Sequence, residues 1–546
     1  MFIEPVSGKK FFGREQVLGT LQKRITDLKG GYRQNLALTG PMLAGKSSIL
    51  RNFLKNIKDP SVIPLYIDMD GVDFNFFCTQ FMASILYRYL KSIGKSAGND
   101  FNVLRKSTFE FIPKTVRSMD KITKLLKQKR NNNAAYKDLL KLTSIFKDET
   151  GKRCVVILDE FHNMSNFQLR KPFQVFGKFI MVQKNTMYIV SSSQKTLLKE
   201  ILSEKLSLLF GNFEVLEVEG FDGHTARSFI AEKVKDVDLG EDVRSYIIQV
   251  SRGNPFYVES LAGRLAELVK RRKGARQDIK ECLLNAFTEL LFESNGVLNQ
   301  YFNNNINFFL EKKARKQFIP ILISLAKGNK TIKAIQGDLD KKDKDLSLSL
   351  QALQDMDLID NSGVFYQISD KLFSYWLKYV YDAKGRSLIN DMDIKYLEFK
   401  KAIEDDFKEY CLFNSKDLVA VVRDLLKSFN GEKVQINMNL RKMPYFDRIE
   451  TNKLSDNIFQ ITGSVQNRDW VCYIKQGDIA DEQDVSELWE VKSRHKKSKI
   501  IRKIFIPLKG IEQNAFLLAK EQNLWIWDTK QINELLRLFG KFEIVL

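Results

Sequence analysis

The sequence predicts an α/β fold for the N-terminal part of the chain, with a parallel β-sheet covered by helices on both faces. Five short apolar runs alternate there with longer segments of helical periodicity, a pattern typical of parallel sheets. A glycine-rich stretch joins the first run to a helical segment, and the alternation ends near residue 222. The five predicted strands are residues 36–39, 62–68, 155–159, 187–190 and 213–218.

The glycine-rich stretch fills every fixed position of the Walker A pattern, G-x-x-x-x-G-K-[S/T], and therefore predicts a P-loop that binds a nucleoside triphosphate. Its glycines let backbone N–H groups converge on phosphate oxygens at the positive end of the next helix. We expect Lys46 to contact the β- and γ-phosphates as a catalytic cation, and the hydroxyl of Ser47 to bind Mg²⁺. The predicted ATP-binding residues of this stretch are Gly40, Pro41, Met42, Leu43, Ala44, Gly45, Lys46, Ser47 and Ser48.

The third predicted strand ends in two carboxylates, Asp159 and Glu160, which is the Walker B pattern. We expect Asp159 to hold Mg²⁺ through water, and Glu160 to polarise the water that attacks the γ-phosphorus. A buried strand that merely ends in two acids is the alternative, and the upstream P-loop disfavours it. The fourth strand is followed by three serines and a glutamine at 191–194, where a polar side chain could sense the γ-phosphate.

Size and composition favour a soluble, multidomain protein. The chain has 546 residues, which is longer than a single hydrophobic core usually holds, so several domains are expected. Hydrophobic residues make up 44% of the chain, enough to pack those domains. No apolar run approaches the length of a membrane-spanning helix, and the first residues lack a basic region followed by an apolar stretch, so we expect a cytoplasmic protein without a membrane partner. Five scattered cysteines and three histidines support neither a disulfide framework nor a structural zinc site.

The net charge of +20 suggests a polyanionic partner. Basic residues concentrate in three clusters, at 114–153, 264–276 and 492–503, and the first holds twelve Lys and Arg against four acids. Each cluster could equally be a solvated helix face. DNA or RNA contact through these clusters, a protein partner and a homo-oligomer all stay open from sequence alone.

Four domains are predicted along the chain. Residues 1–222 form the P-loop core, with a basic helical insertion at about 74–152, and residues 223–312 are helical. Residues 313–382 have the cadence of a winged helix, three helices followed by two short strands, and residues 383–546 form a second α/β domain. The expected recognition helix and its flanks carry Asp343, Asp345, Asp355 and Asp357. A regulatory or interaction role therefore fits the winged helix better than base reading.

Several short motifs, taken in order, resemble the STAND-type archaeal ATPases, relatives of the origin-recognition branch of AAA+ proteins. The resemblance covers about residues 8–382. It rests on Phe12-Gly13-Arg14-Glu15, the P-loop, Leu158-Asp159-Glu160-Phe161, Gly220-Phe221-Asp222, Gly253-Asn254-Pro255 and the segment 368–376.

This resemblance implies ATP binding between the core and a helical lid at 223–312, slow hydrolysis, and switching between closed ADP and open ATP forms. It implies that Phe12 and Arg14 border the adenine pocket and that Pro255 approaches the nucleotide from the lid. One departure is Gly211-Asn212, where the family commonly has Gly-Arg. Without that arginine hydrolysis could be weak, or another arginine such as Arg170 could supply the charge.

The C-terminal domain resembles the restriction-endonuclease-like fold found behind some of these ATPases. Active members place an acid on one strand and Glu/Gln-x-Lys on the next, so that carboxylates hold Mg²⁺ and the lysine orients water. The preceding strand in this chain, residues 458–463, has no carboxylate. Here Lys475 is present, but Tyr473 stands where the acid should be. Glu490-Val491-Lys492 imitates the motif in a segment predicted to be helical. We therefore expect a degenerate domain that does not cut DNA.

Three functions follow from these patterns. The leading hypothesis is an ATP-hydrolysing switch coupled to DNA or a protein partner. The alternatives are an ATP-regulated, Mg²⁺-dependent nuclease and a nucleotide-stabilised interaction protein with little turnover.

Overall fold

The computed structural model describes residues 4–128, 131–206, 213–235, 237–271, 279–310, 316–339, 343–386, 391–436, 439–490 and 499–545. The chain forms two compact units. The first contains the residues up to Phe221 together with Asn254–Phe256 and Asp355–Asp357. The second contains Asp222–Gly253, Tyr257–Gln354 and Leu358–Leu546.

A five-stranded parallel sheet forms the centre of the first unit, and it confirms the predicted α/β fold class. The strand order is β2-β3-β4-β1-β5, so the P-loop strand β1 lies between β4 and β5. Parallel neighbours end at the same edge of a sheet, which brings the carboxyl ends of β1, β3 and β4 together. The strands are β1 (Asn35–Thr39), β2 (Val62–Asp68), β3 (Arg153–Asp159), β4 (Thr186–Ser192) and β5 (Phe213–Glu217).

Helices cover both faces of this sheet, which explains why β1 and β4 are buried along their whole length. One face packs against the first two helices through residues such as Leu21 and Ile49. The other packs against the helical insertion, where Phe77 and Leu139 share a core with Val156 of the sheet. The insertion is thus part of the sheet's cover. The helices are α1 (Glu15–Lys29), α2 (Lys46–Asn56), α3 (Phe74–Ser92), α4 (Phe101–Thr108), α5 (Pro113–Lys127), α6 (Asn132–Thr150), α7 (Pro172–Val182) and α8 (Lys195–Glu200).

The second unit begins with helices and continues into an antiparallel strand pair. Asp222 caps the first of these helices by accepting a hydrogen bond from the backbone N–H of Thr225. The pair β6–β7 follows three helices, the order predicted for a winged helix. The elements are α9 (Gly223–Lys233), α10 (Glu241–Ser251), α11 (Pro255–Arg271), α12 (Ile279–Phe287), α13 (Val297–Leu310), α14 (Phe318–Ala326), α15 (Ile332–Leu339), α16 (Asp343–Asp355), β6 (Ile359–Ser362), β7 (Phe365–Ile368), α17 (Lys371–Trp376), α18 (Asp382–Arg386) and α19 (Met392–Asn414).

The C-terminal part of the second unit is a mixed five-stranded sheet with a separate hairpin, β8–β9. Strands β10, β11 and β12 are antiparallel, whereas β12, β13 and β14 are parallel. Trp470 and Trp527 lie in the core on one face, and Tyr473 and Phe505 in the core on the other. The elements are α20 (Leu418–Lys427), β8 (Lys433–Ile436), β9 (Asn439–Lys442), β10 (Arg448–Lys453), β11 (Ile458–Val465), β12 (Arg468–Lys475), α21 (Glu482–Glu490), β13 (Lys499–Pro507), α22 (Gln513–Glu521), β14 (Trp525–Ile526) and α23 (Thr529–Leu538).

Hydrogen bonds join the successive parts of the second unit. The backbone N–H of Val364, in the β6–β7 turn, donates to the carbonyl of Lys433 at 3.0 Å. The guanidinium of Arg227 in α9 donates to the carbonyl of Val545 at 3.2 Å. Among the helices of the described ranges, none is both long and apolar enough to cross a bilayer.

Candidate nucleotide-binding site

The loop between β1 and α2 lies so close to the backbone that follows β5 that its first residue must be glycine. A Cβ on Gly40 would lie 2.0 Å from the carbonyl oxygen of Val218. The loop ends at Gly45, with φ at +94°, a conformation that glycine adopts without strain. Helix α2 starts directly afterwards, so its free N–H groups and positive dipole face the loop.

Lys46 is the buried cation of this loop, with 4% of its surface exposed. Its Nζ donates hydrogen bonds to the carbonyls of Gly40 at 2.8 Å and Pro41 at 2.9 Å. Burial lowers the pKa of this ammonium, and the nearby carboxylates of Glu160 and Asp159 oppose the shift. No carboxylate within the described ranges forms an ion pair with Lys46. A buried, unpaired cation favours the binding of an anion beside it.

Asp159 lies at the end of β3, with 1% of its surface exposed. Its Oδ2 accepts a hydrogen bond of 2.6 Å from the hydroxyl of Tyr66, and its Oδ1 accepts one from Ser191. Burial and the charge of Asp159 raise the pKa of Tyr66, so the phenol stays protonated and donates. Tyr66 and Ser191 belong to β2 and β4, the two neighbours of β3, and they hold the carboxylate at the sheet edge.

Glu160 follows in the left-handed region, with φ at +50°. Its Oε2 accepts hydrogen bonds from the backbone N–H and the hydroxyl of Ser193, both at 2.9 Å. Nδ1 of His162 lies 3.4 Å from the same oxygen and 2.9 Å from the hydroxyl of Ser192. Burial raises the pKa of Glu160, and burial lowers the pKa of His162. Both shifts favour the neutral forms of the two side chains.

Of the two residues that the resemblance assigned to the border of the adenine pocket, Arg14 contacts the P-loop and Phe12 contacts Phe221. The guanidinium of Arg14 donates to the carbonyls of Ala44 at 3.1 Å and Glu219 at 2.6 Å. It also lies over the ring of Phe221, 4.6 Å from the centroid, and Phe12 packs edge-to-face against the same ring. Arg14 thus braces the loop rather than pointing away from it.

The remaining predicted residues of the site have mixed surroundings. The hydroxyl of Ser47 has no hydrogen-bond partner among the residues that the structure describes, whereas that of Ser48 accepts from the N–H of Val6 at 3.0 Å. The amide of Asn254 donates to the carbonyl of Met42 at 3.2 Å, and its neighbour Pro255 begins α11. Asn254, Pro255 and Met42 belong to the same unit.

Sequence reasoning missed the residues that orient the two carboxylates. Tyr66 and His162 were not identified, and Ser191 to Ser193 were identified only as a strand end that could sense phosphate. Asp68 was also missed, although it ends β2 directly beside Asp159. Burial raises the pKa of Asp68. The signal available was its position at the carboxyl end of a predicted strand.

The three basic clusters differ in how much of their charge is paired. Within 114–153, Lys121 and Lys141 both pair with Asp138. In the second cluster Arg264 pairs with Glu289 and Glu267, while residues 272–276 lie outside the described ranges. Residues 492–498 of the third also lie outside, as do Gly211-Asn212 and part of Glu490-Val491-Lys492. Arg170, the alternative source of a cation, is exposed.

In the C-terminal domain, Lys475 at the end of β12 forms an ion pair with Asp484 of α21. Both side chains are mostly buried, with 15% and 8% exposed. The hydroxyl of Tyr473 donates to Glu487 at 3.1 Å. Within the described ranges no group of three or more acidic, histidine or cysteine side chains is arranged to hold a metal ion.

Comparisons with known proteins give partial structural similarity. No protein-family model matches the chain, and a search of curated proteins finds no match. A Walker-type ATPase of Pyrococcus abyssi aligns at 17% identity and TM-score 0.48, over 69% of this chain and 99% of its own. The ORC2 protein of Aeropyrum pernix aligns at 11% identity and a TM-score of 0.42, over 70% of this chain and 98% of its own. The RuvB Holliday junction branch migration motor of Thermotoga maritima aligns at 14% identity and a TM-score of 0.35, over 68% of this chain and 98% of its own.

Proposed function

We propose that the chain binds ATP with Mg²⁺ at the P-loop, hydrolyses it slowly, and acts as a nucleotide-dependent switch for a nucleic-acid or protein partner. The observation that carries this proposal is the buried ammonium of Lys46, whose hydrogen-bond partners among the described residues are two loop carbonyls. Phosphate oxygens would place counter-charge directly at this ammonium, which forms no ion pair with the nearby carboxylates of Glu160 and Asp159.

The side chains present fit a magnesium nucleotide. The Ser47 hydroxyl, without a partner in the described ranges, stands at the first turn of α2, and Asp159 stands at the end of β3. These are the two oxygens that would hold Mg²⁺, directly and through water. When bound, the metal neutralises charge on the phosphate oxygens.

Glu160 is the proposed general base. Its carboxylate is fixed by Ser193, and its pKa is raised by burial, so it lies closer to the neutral pH at which a general base works best. Lys46 stabilises the charge that develops on the transferred phosphoryl group. We propose that hydrolysis is slow because Arg14, a second cation beside the loop, is held by the carbonyls of Ala44 and Glu219.

The C-terminal domain is proposed as a binding module rather than a nuclease. The support is the ion pair of Lys475 with Asp484 and the presence of Tyr473 at the position of a metal ligand. A lysine held by a neighbouring carboxylate is not free to orient water.

Steady-state phosphate release from ATP, with and without double-stranded DNA, tests the proposal. Wild-type turnover should vanish in Glu160→Gln while binding of a fluorescent ATP analogue persists, and Lys46→Ala should lose both. Lys55→Ala, on the same helix but bonded to Ser7 on the surface, is the matched control. Wild-type protein that fails to bind the analogue would refute the ATP site; binding without release would select the nucleotide-stabilised interaction protein.

A further inference from the structure

Two arginines of the C-terminal domain lie over the same tryptophan. The guanidinium carbon of Arg441 is 3.8 Å from the ring centroid of Trp525, and that of Arg502 is 4.1 Å from it. Two cations held this close to one ring repel each other, and the attraction of each for the aromatic face only partly offsets that repulsion.

The fold builds this arrangement from three separate strands. Arg502 lies on β13 opposite Trp470 of β12, and Trp525 lies on the edge strand β14. Trp470 packs edge-to-face on Trp525 at 5.2 Å, which fixes the indole. Arg441 lies on β9 opposite the buried Val434. Strand alternation sends the next residue, Lys503, to the other side of the sheet, where its Nζ donates to the carbonyl of Leu488 at 3.0 Å.

Neither arginine is paired with a carboxylate in the part of the chain that the structure describes. Within the residues that the structure describes, no carboxylate forms an ion pair with Arg441 or Arg502, and neither guanidinium donates a hydrogen bond to the protein. Other arginines of the unit are paired, such as Arg227 with Glu241 and Arg448 with Glu450. Burial, and secondly the charge of Arg502, lower the pKa of Arg441. A bound anion would remove this electrostatic cost.

We propose that Arg441 and Arg502 form a binding site for the phosphodiester backbone of nucleic acid. Guanidinium groups bind phosphate oxygens through paired N–H donors, and stacking on Trp525 orients the N–H groups of both arginines. The indole already carries two cations and the edge of Trp470, so it is not available to stack on a base, and binding should not depend on sequence.

The neighbouring charge fits a polymer rather than a single free phosphate. Lys499 is exposed at the start of the strand that carries Arg502, and among the described residues it forms no ion pair. Lys433 and Lys442 are exposed partners across the β8–β9 hairpin, but strand alternation turns them to the face opposite Arg441, so they lie outside the site. Arg441, Arg502 and Lys499 give three cations without an ion pair in the described ranges, which suits an anion that repeats its charge.

The site is independent of ATP turnover, so it can be tested without nucleotide. We would measure binding of a fluorescein-labelled DNA duplex, and of the RNA duplex of the same sequence, across a salt series by anisotropy. Arg441→Gln and Arg502→Gln should each weaken binding by about tenfold. Each should also reduce the slope of log affinity against log salt by about one, because one phosphate contact is lost.

Arg448→Gln is the matched control, since it removes an arginine of the same domain that is paired with Glu450; its affinity and salt slope should equal those of the wild type. If the glutamine variants unfold, Arg441→Lys with Arg502→Lys keeps both charges and should keep the slope while weakening binding severalfold. Equal losses for DNA and RNA support the shared phosphodiester chemistry. Unchanged binding in the double glutamine variant, or wild-type protein that binds inorganic phosphate but neither duplex, would overturn the proposal.

Lys46→Ala separates this result from the proposed ATPase. That variant should lose ATP binding and retain the duplex with wild-type affinity. If the ATP-site proposal fails, the duplex-binding measurement can still be interpreted. If the nucleic-acid proposal fails, the ATP measurements can likewise still be interpreted.

Discussion

Glu160 accepts two hydrogen bonds from one residue, Ser193, whose backbone N–H and hydroxyl both lie 2.9 Å from Oε2 of the carboxylate. Glu160 ends the Walker B segment after β3, and Ser193 follows β4, the next strand in the sheet. The left-handed backbone of Glu160 turns its side chain away from the strand direction, and Ser193 fixes where it then points. This contact supports the proposal that Glu160 is an oriented base.

Ser193→Ala should therefore lower turnover without weakening ATP binding. Loss of one hydrogen bond to the carboxylate is worth about 1.4 kcal/mol, or about tenfold in kcat. Steady-state phosphate release and analogue binding measure the two quantities. Ser118→Ala, an exposed serine bonded to the carbonyl of Lys114, should change neither. Equal turnover in Ser193→Ala and wild type would show that Ser193 does not position the base.

Gly40 offers a test of the P-loop geometry that needs no nucleotide. A Cβ there would lie 2.0 Å from the carbonyl oxygen of Val218, a backbone atom that cannot move without shifting the chain after β5. We expect Gly40→Ala to lower the melting temperature by several degrees, because the cost of overpacking is typically about 1–3 kcal/mol. Thermal unfolding without ligand measures it.

Gly19→Ala is the control for that experiment. Gly19 lies inside α1, and a Cβ there would meet no atom within 4 Å. Alanine in a helix interior is favoured over glycine by about 1 kcal/mol, so this variant should melt at or above the wild-type temperature. If Gly40→Ala had the same melting temperature as Gly19→Ala, the close approach to Val218 would not constrain the loop.

The P-loop and the Walker B strand could be predicted from sequence because phosphate chemistry demands particular residue types at fixed local spacing. Lys46 begins α2 and Asp159 ends β3, as the patterns predict, and their roles toward a nucleotide stay predictions. The residues that orient the carboxylates could not be predicted, because Tyr66 and Ser193 reach them across neighbouring strands. Only the strand order, which the sequence does not specify, brings these side chains together.

The C-terminal sheet shows a second limit. Strands β11, β12 and β13 are rich in apolar residues, which predicts strands from sequence, whereas β9 and β10 are mostly polar. Most residues of β10 are polar and none is buried, as is common for an edge strand, so the segment gives no alternating hydrophobic signal. Arg441 on β9 was therefore not grouped with Arg502, although the structure places both over Trp525.

The ion pair between Lys475 and Asp484 predicts a large and asymmetric effect on stability. Removing one partner leaves the other charge buried, so Lys475→Met should cost about 3–5 kcal/mol. The double variant Lys475→Met with Asp484→Leu should recover most of that loss, because two apolar side chains replace two charges. Urea denaturation measures the free energy of unfolding.

The exposed pair of Lys453 with Asp456 in the same domain provides the comparison. Lys453→Met should cost less than about 1 kcal/mol, since surface ion pairs contribute little. A double variant no more stable than Lys475→Met would show that the lysine and aspartate stabilise the domain through other contacts. A similar small loss for Lys475→Met and Lys453→Met would show that the first pair is not effectively buried.

Lys330 predicts how stability depends on alkaline pH. Its Nζ donates to the carbonyls of Arg537 at 2.7 Å and Leu538 at 3.2 Å, at the end of α23. Burial, and secondly the charge of Arg252, lower the pKa of Lys330 to about 8, from an ordinary value of 10.5. Between about pH 8 and 10.5 the unfolded chain therefore binds more protons at this lysine than the folded chain does. The contribution of Lys330 to stability consequently rises with pH across that window and is level below it.

The stability of the wild type relative to Lys330→Met, followed by thermal unfolding from pH 7 to about 10.5, should increase as the pH rises above about 8. Lys453→Met measured in parallel corrects for the general effect of alkali on the chain. A difference between wild type and Lys330→Met that stays constant, or that falls as the pH rises, would contradict a lowered pKa at Lys330.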